Sequence, residues 1–354
     1  MDFTKKLLHW HNKKNTRTMP WKGENDPYKI WLSEIILQQT RVQQGLQYYE
    51  KFMNTFPDIH QLAKAQQKKI FKLWEGLGYY TRCKNLIETA KKIVRDYNGR
   101  FPSTYEEIRK LKGVGPYTAA AIASFAFNAP QAVVDGNVQR VLARYFGITA
   151  PIDTAAGKNL YAKLALALLD KKKPGIYNQA IMDFGAVMCK PKNPNCTDCV
   201  FQKDCMSYKK GWTDLLPLKA RSIQKKIRWF RYLIIENADG RIYIRKRTGQ
   251  DIWKNLYEFV LWESSKLISR KKIAASDFFK KIFHEQKFEI SAISEICSQE
   301  LTHQTIRGQF VHIRIAKPIQ VLGDYILVKK SRLKDYPFPK FITAYLQNPL
   351  QQLF

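Results

Sequence analysis

The stretch Leu111-Lys112-Gly113-Val114-Gly115-Pro116-Tyr117-Thr118 limits the fold of this chain more than any other. Two glycines flanking one valine permit a turn too tight for side chains. Pro116 stands where a helix can begin, because the amide it lacks has no partner at the first helical position. The stretch therefore reads as a hairpin between two helices. Its backbone amides and the N-terminus of the second helix point outward together, which suits one phosphate of a nucleic acid. The helix so begun, Thr118 to Phe127, carries Ala119, Ala120, Ala121, Ile122, Ala123, Phe125, Ala126 and Phe127 and is expected to be buried. Beyond it comes Val133-Val134-Asp135-Gly136-Asn137-Val138. Asp135 reads either as the N-cap of the next helix or as a carboxylate held on a rigid platform, and Gly-Val-Gly by itself also suits an ordinary helix-helix turn.

The partner is indicated by charge. Sixty Lys and Arg against 30 Asp and Glu leave a net charge of +30, self-repelling unless a polyanion neutralises it. Nucleic acid is the first candidate and an anionic membrane surface the alternative. No apolar run reaches the roughly 18 residues of a spanning helix, and Met1-Asp2-Phe3-Thr4-Lys5-Lys6 is not a signal-peptide core, so an intracellular protein without a membrane partner is expected. With 354 residues, 45% of them hydrophobic, the chain is long enough for two domains with real cores.

Residues 1 to 22 suggest a short amphipathic helix with Leu7, Leu8 and Trp10, followed by Arg17, Trp21 and Lys22. A second helix is expected over Asp26 to Val42. On it, Ile30, Trp31, Leu37 and Gln38 neighbour Glu34 on one face, so this carboxylate lies in an apolar stripe. Desolvation there raises a carboxyl pKa, as a proton donor near neutral pH requires; a salt-bridged Glu at the edge of a core helix is the plainer alternative. Trp74-Glu75-Gly76-Leu77-Gly78-Tyr79-Tyr80-Thr81-Arg82 reads as a Gly-rich turn with core tyrosines, or as a turn presenting Tyr79 as a flat wedge into a base stack. Further helices are expected over Val138 to Phe146, Ala155 to Leu169 and Tyr177 to Gly185; Gln179 on the last has donors and acceptors suited to an adenine edge. Cys189, Cys196, Cys199 and Cys205 follow with spacing C-x6-C-x2-C-x5-C. Four thiols so close indicate a metal centre. Structural zinc would usually show two C-x2-C halves, and one is present.

Residues 209–228 lose apolar periodicity and are strongly basic, as a linker would be. After them, alternation from Trp229 to Ile235 and Arg241 to Arg245 around Asn237-Ala238-Asp239-Gly240 predicts a β-hairpin. Strands over Leu256 to Leu261 and Gln309 to Ile315 surround a helical stretch from Lys271 to Phe283, which makes this part α+β.

The hairpin with its downstream aspartate resembles the helix-hairpin-helix DNA glycosylase superfamily. Trp31-Leu32-Ser33-Glu34-Ile35-Ile36-Leu37-Gln38-Gln39-Thr40 resembles more narrowly the W-x-S-E-x-x-L-Q-Q-T of MutY-type adenine DNA glycosylases. The resemblance implies a multi-domain protein. An all-α glycosylase domain would occupy residues 1–208, with its hairpin at 111–118 and a [4Fe-4S] loop at 189–205. A basic linker at 209–228 and a MutT-like (Nudix-like) α+β domain at 229–345 would follow. It implies excision of adenine opposite 8-oxoguanine or G in duplex DNA by a monomer. Glu34 would protonate adenine N7 and then activate water, Asp135 would stabilise the sugar cation, Asn137 would orient one of them, and Tyr117 would bond near Asp135. Arg17, Trp21 and Leu37 would line the adenine pocket, Gln39 and Thr40 would sit at the lesion, Tyr79 would intercalate, and Gly113 and Gly115 would form the DNA-binding hairpin. Lys22 replaces a frequent arginine. The cysteine spacing is similar to that of the family's iron-sulfur cluster, whose loop would turn Lys190 and Lys192 to the DNA backbone. Leu301-Thr302-His303 matches a Phe-Ser-His turn that contacts 8-oxoguanine, with Leu301 replacing the aromatic. The Nudix hydrolase signature is absent from the chain, so its second domain is expected to be a recognition module. Two rivals are an endonuclease III-like lyase acting on oxidised pyrimidines, which would carry lysine where Tyr117 stands, and a DNA-binding scaffold without chemistry.

Overall fold

The computed structural model describes residues 2–220, 224–266, 270–284, 286–319 and 322–348. Residues 221–223 of the expected linker, and 267–269, 285 and 320–321 of the expected second domain, lie outside the described residues. The chain divides into two compact units, Met1–Lys64 with Lys84–Ser222, and Ala65–Cys83 with Ile223–Phe354. The second unit thus takes in the segment that carries Tyr79.

Helices in chain order are α1 (Phe3–Lys14), α2 (Pro27–Leu37), α3 (Val42–Thr55), α4 (Ile59–Lys64), α5 (Gln67–Leu73), α6 (Tyr80–Asp96), α7 (Tyr105–Arg109), α8 (Pro116–Phe127), α9 (Gly136–Phe146), α10 (Ala155–Leu168), α11 (Pro174–Val187) and α12 (Met206–Lys210). The centre of the first unit is α8, started by Pro116 and closed by Asn128 in the left-handed conformation, with Thr118 through Ser124 buried. On it pack α2, α7 and α11, and the surrounding core includes Leu7, Trp10, Val141, Leu142, Tyr177, Ile181 and Phe184. Between α7 and α8 lies the expected hairpin. Of its two glycines, Gly113 takes φ +78°, where an added Cβ would lie 2.8 Å from Asn85 Cβ. Gly115 is extended at φ −87° as the N-cap of α8, and a Cβ there would meet nothing within 4 Å. The turn therefore needs one glycine for its geometry, not two.

The second helix is shorter than its sequence suggested. Asp26 caps α2 through the Tyr28 amide, but the helix stops at Leu37 instead of continuing to Val42. Gln39 adopts φ +57°, the Thr40 amide turns back to the Leu37 carbonyl, and Gln38 donates to the Thr118 hydroxyl at 3.2 Å. A tertiary hydrogen bond and a left-handed residue thus end a segment whose local preference is helical.

The second unit holds a mixed sheet of β1 (Lys226–Asn237), β2 (Arg241–Lys246), β3 (Tyr257–Glu258), β4 (Val260–Ser264), β5 (Phe288–Ile293), β6 (Cys297–Glu300), β7 (Gln304–Ile315) and β8 (Ile326–Lys329). The spine order is β3-β2-β1-β7-β5, with β4 beside β1, β6 beside β7 and β8 beside β2. Pairing of β1 with β7 is parallel, from Lys226 opposite Gln304 to Asn237 opposite Ile315; β1 and β2 form the expected hairpin. Helices α13 (Arg270–Ile273) and α14 (Asp277–Phe283) break the expected helical stretch in two, because Ser276 caps the second piece. The closing α15 (Lys340–Leu346) lays Tyr345 against Phe310 at 3.8 Å between ring centroids. Among the described residues, no helix is long and apolar enough to cross a membrane.

At the middle of the parallel ladder, Gly308 faces Phe230, and a Cβ at Gly308 would fall 2.1 Å from the Phe230 carbonyl oxygen. Gly308→Ala is expected to separate the two longest strands locally and lower the melting temperature followed by circular dichroism by several degrees. An unchanged melting curve would mean the ladder tolerates the methyl group.

Candidate active site

The candidate side chains of the first unit converge on a cleft of about 1080 Å³. Glu34, Leu37, Gln39 and Thr40 line it from α2 and the turn after it, and Tyr117 from the first turn of α8. Asp135 and Asn137 enter from the start of α9, Gln179 from α11, and Arg17, Trp21 and Lys22 from the segment after α1. Residues spread over more than 160 positions of sequence thus share one wall, as a catalytic constellation requires.

Burial governs the two carboxyls. Glu34 is 7% exposed, and loss of hydration together with the nearby Asp135 charge pushes its pKa up to about 7; the Tyr117 phenol donates to it and pulls the other way. The Tyr117 oxygen also lies 4.0 Å from Met182 Sδ. Burial raises the Asp135 pKa too, opposed by the Val138 amide at 2.7 Å and Asn137 Nδ2 at 2.9 Å, both donating to its carboxylate. Asp135 is therefore the N-cap of α9 and a cleft carboxylate at once. The alternatives left open by its sequence describe one arrangement, since capping hydrogen bonds fix its orientation.

Two residues behind this wall escaped the sequence reading. Asn137 Oδ1 accepts from Arg140 at 2.9 Å, and Arg140 also donates to the carbonyls of Cys189 at 2.8 Å and Gly185 at 2.7 Å. The chain of contacts from Asp135 thus reaches the cysteine loop. Close packing makes room for it, for a Cβ on Gly185 would lie 2.7 Å from Asn137 Cβ. Asp183 is completely buried and accepts from Asn15 at 2.7 Å, Arg17 at 2.8 Å and Gln179 at 2.9 Å, with Lys22 Nζ at 3.1 Å. One carboxylate therefore holds three cleft-lining donors in place, and Lys22, far from idle, also donates to the Arg17 carbonyl at 2.8 Å. The available signal was helical spacing: Arg140 is three residues after Asn137, and Asp183 four after Gln179.

Cys189, Cys196, Cys199 and Cys205 are free thiols around a small cavity of about 30 Å³, with Arg144 Nη1 3.4 Å from Cys189 Sγ and the Phe201 amide 3.4 Å from Cys199 Sγ. Arg144 braces the loop further through the carbonyls of Lys190 at 2.7 Å and Pro191 at 3.0 Å. Among the described residues, no three His, Cys, Asp or Glu side chains are gathered as a single-ion site.

In the second unit, Thr302 and His303 form the exposed turn between β6 and β7, closed by the Leu301 amide on the Gln304 carbonyl at 2.8 Å. Tyr79, 47% exposed and at φ +49°, hydrogen-bonds the Thr302 hydroxyl through its phenol. A bulky residue with positive φ is strained, and such strain gathers at functional sites. Three acids of this unit are paired with arginines, Glu258 with Arg245 and Arg247, and Asp251 and Glu263 with Arg228.

Comparison with known proteins settles the family. Residues 32–163 match the HhH-GPD superfamily base excision DNA repair protein model, and residues 231–348 match the NUDIX domain model. The adenine DNA glycosylase of Buchnera aphidicola subsp. Baizongia pistaciae is 39% identical over 260 residues, covering 73% of each chain. The chain belongs to the adenine DNA glycosylase family. The family's Arabidopsis thaliana member is 33% identical over 87% of this chain and 54% of its own, and the Homo sapiens member 40% identical over 57% and 39%. A solved thermostable thymine-DNA glycosylase superposes with a TM-score of 0.55 at 33% identity, over 59% of this chain and 95% of its own. A non-covalent endonuclease III-DNA complex gives 0.51 at 21% identity over 60% and 99%, which shows the fold. Membership in the family makes this chain a DNA N-glycosylase of base excision repair.

Glu34 also links the site to stability. Its pKa in the fold lies above the ordinary 4.5 of a glutamate, so the neutral form is favoured in the native state and stability is lost as pH rises through about 7. Glu34→Gln is neutral at every pH. It is expected to melt higher than wild type, by a margin that grows on the order of 2 kcal/mol between pH 5 and pH 8. A margin independent of pH would place the carboxyl in contact with water.

Proposed function

We propose that the enzyme hydrolyses the N-glycosidic bond of adenine paired with 8-oxoguanine or G in duplex DNA, inside the cell and as a monomer. The observation that carries this reading is the buried Glu34 carboxyl, raised to about 7, sharing one cleft with Tyr117 and Asp135. Neutral Glu34 gives its proton to adenine N7. The C1′–N9 electron pair leaves with the base, and the Asp135 carboxylate stabilises the positive charge developing at C1′. Water then adds to C1′ and its proton returns to Glu34, which restores the enzyme. Asn137 orients Asp135, and Tyr117 orients Glu34. Arg17, Trp21, Leu37 and Gln179 hold the flipped base. Tyr117 has no amine for a Schiff base, and the Lys22 amine that lines the cleft is tied to Asp183, which supports a monofunctional glycosylase over a lyase.

The remaining roles concern DNA. Gln39 and Thr40 sit at the lesion in the DNA helix, the Thr302-His303 turn contacts the oxidised base, Tyr79 fills the stack, and the hairpin of Gly113 and Gly115 holds a phosphate on the N-terminus of α8. Cys189, Cys196, Cys199 and Cys205 suit a [4Fe-4S] cluster. Four thiols around a cavity, with an arginine and an amide donating toward sulfur, fit a cluster better than one zinc ion, which would draw all four sulfurs to about 2.3 Å from a point. Bound there, a cluster would tie residues 189–205 into one rigid loop and leave Lys190 and Lys192 for phosphates.

Single-turnover assays on a duplex holding one A opposite 8-oxoguanine are expected to release free adenine. Glu34→Gln should slow the release by about 100-fold or more with DNA affinity retained. No release by the wild-type protein would overturn the functional reading, and near-normal release by the variant would remove Glu34 as the acid. Elemental analysis of the purified protein should find iron; zinc in its place would refute the cluster.

A further inference from the structure

The turn that presents Tyr79 is held by the second unit at its tip and at its base. At the tip, the Tyr79 phenol meets the Thr302 hydroxyl. At the base, four residues earlier, Glu75 Oε1 accepts the Phe338 amide at 2.9 Å while Oε2 pairs with Lys72 at 2.5 Å. The receiving segment does not move freely. Phe338 is buried against Phe259, the Pro337 carbonyl accepts the Tyr257 amide at 2.8 Å, and the Tyr336 ring packs on Tyr257 with Lys68 Nζ 3.8 Å from its own centroid.

Between Glu75 and Tyr79 the chain is stiff. Gly76, Gly78 and Tyr79 all have positive φ. Trp74 Nε1 donates to the Gly78 carbonyl at 2.9 Å, the Gly76 amide to the Tyr80 phenol at 3.2 Å, and Arg82 to the Gly78 carbonyl at 3.2 Å. The Arg82 guanidinium also lies over the rings of Trp74 and Tyr79, at 5.2 and 5.3 Å. A displacement at Glu75 is therefore transmitted to Tyr79, since close-packed, fully bonded turns shift as bodies and do not deform smoothly.

We propose that Glu75 is a positioning residue that sets the Tyr79 ring for insertion into the DNA stack, so that the lesion-reading unit governs the wedge. This rests on the reading of Tyr79 as the wedge. Glu75 touches no reacting atom; it acts by fixing the base of the turn to residues 336–338 while Thr302 fixes the tip.

The test uses the full-length protein and a duplex with 2-aminopurine beside A opposite 8-oxoguanine, whose fluorescence rises as the stack opens. Glu75→Ala is expected to cut the fluorescence rise and to slow single-turnover excision about tenfold or more, the scale of a lost hydrogen bond to a charged group. Glu75→Gln keeps an acceptor for the Phe338 amide and should recover most of both. In a Tyr79→Ala background, Glu75→Ala should add nothing, because its effect runs through the ring. Equal effects in both backgrounds would make Glu75 merely structural, and wild-type behaviour of Glu75→Ala, with a normal circular-dichroism melt, would overturn the proposal. Failure of the wild-type protein to release adenine would instead strike the functional reading itself.

Discussion

Burial of α8 is the constraint on which the first unit depends. A helix with alanines, isoleucine and phenylalanine on all sides has no face for water, so α2, α7 and α11 must close around it. Its ends then have fixed positions. Tyr117 emerges at the first turn, Thr118 takes the Gln38 amide that helps stop α2, and the loop after its last turn delivers Asp135. The same packing strips water from Glu34. The electrostatics of the cleft follow from a packing requirement, and any loosening around α8 would return Glu34 toward an ordinary carboxylate.

The two carboxyls differ through hydrogen bonding more than through burial. Both are desolvated, but Asp135 receives a helix amide and a side-chain amide and so has its anion supported. Glu34 receives one phenol in an apolar stripe and favours its proton. The neutral form is thereby favoured at Glu34, while the Asp135 carboxylate keeps two amide donors. Behind them lie polar groups outside the cleft lining: Arg140, linking Asn137 to the cysteine loop, and Asp183, gathering Arg17, Lys22 and Gln179. Breaking the Asp183 hub would leave the half-buried Arg17 and Lys22 without their counter-charge, a larger loss than that of one contact.

The second unit pairs its exposed turn with a tightly ion-paired interior. Its long parallel pairing of β1 with β7 and the helices beside it match a NUDIX domain, yet Glu258, Asp251 and Glu263 are spoken for by arginines. What the unit offers outward is the Thr302-His303 turn and the Tyr79 segment hydrogen-bonded to it.

From sequence alone followed those features that rest on local rules. Pro116 and Asp135 start helices, apolar α8 is buried, Glu34 sits in an apolar stripe, four closely spaced cysteines share a loop, and Asn237 to Gly240 turn a hairpin, because each depends on residues a few positions apart. Motif resemblance carried the reading as far as the family. Tertiary structure alone decided what depends on partners distant in the chain. It ended α2 at Leu37 through Thr118, relieved Gly115 of the strained role that Gly113 keeps, and sank Asp183 among donors from the stretch after α1. It also drew Ala65–Cys83 to the second unit, since Glu75 accepts a backbone amide and Tyr79 meets a hydroxyl more than 220 residues away, and no local periodicity encodes those two contacts.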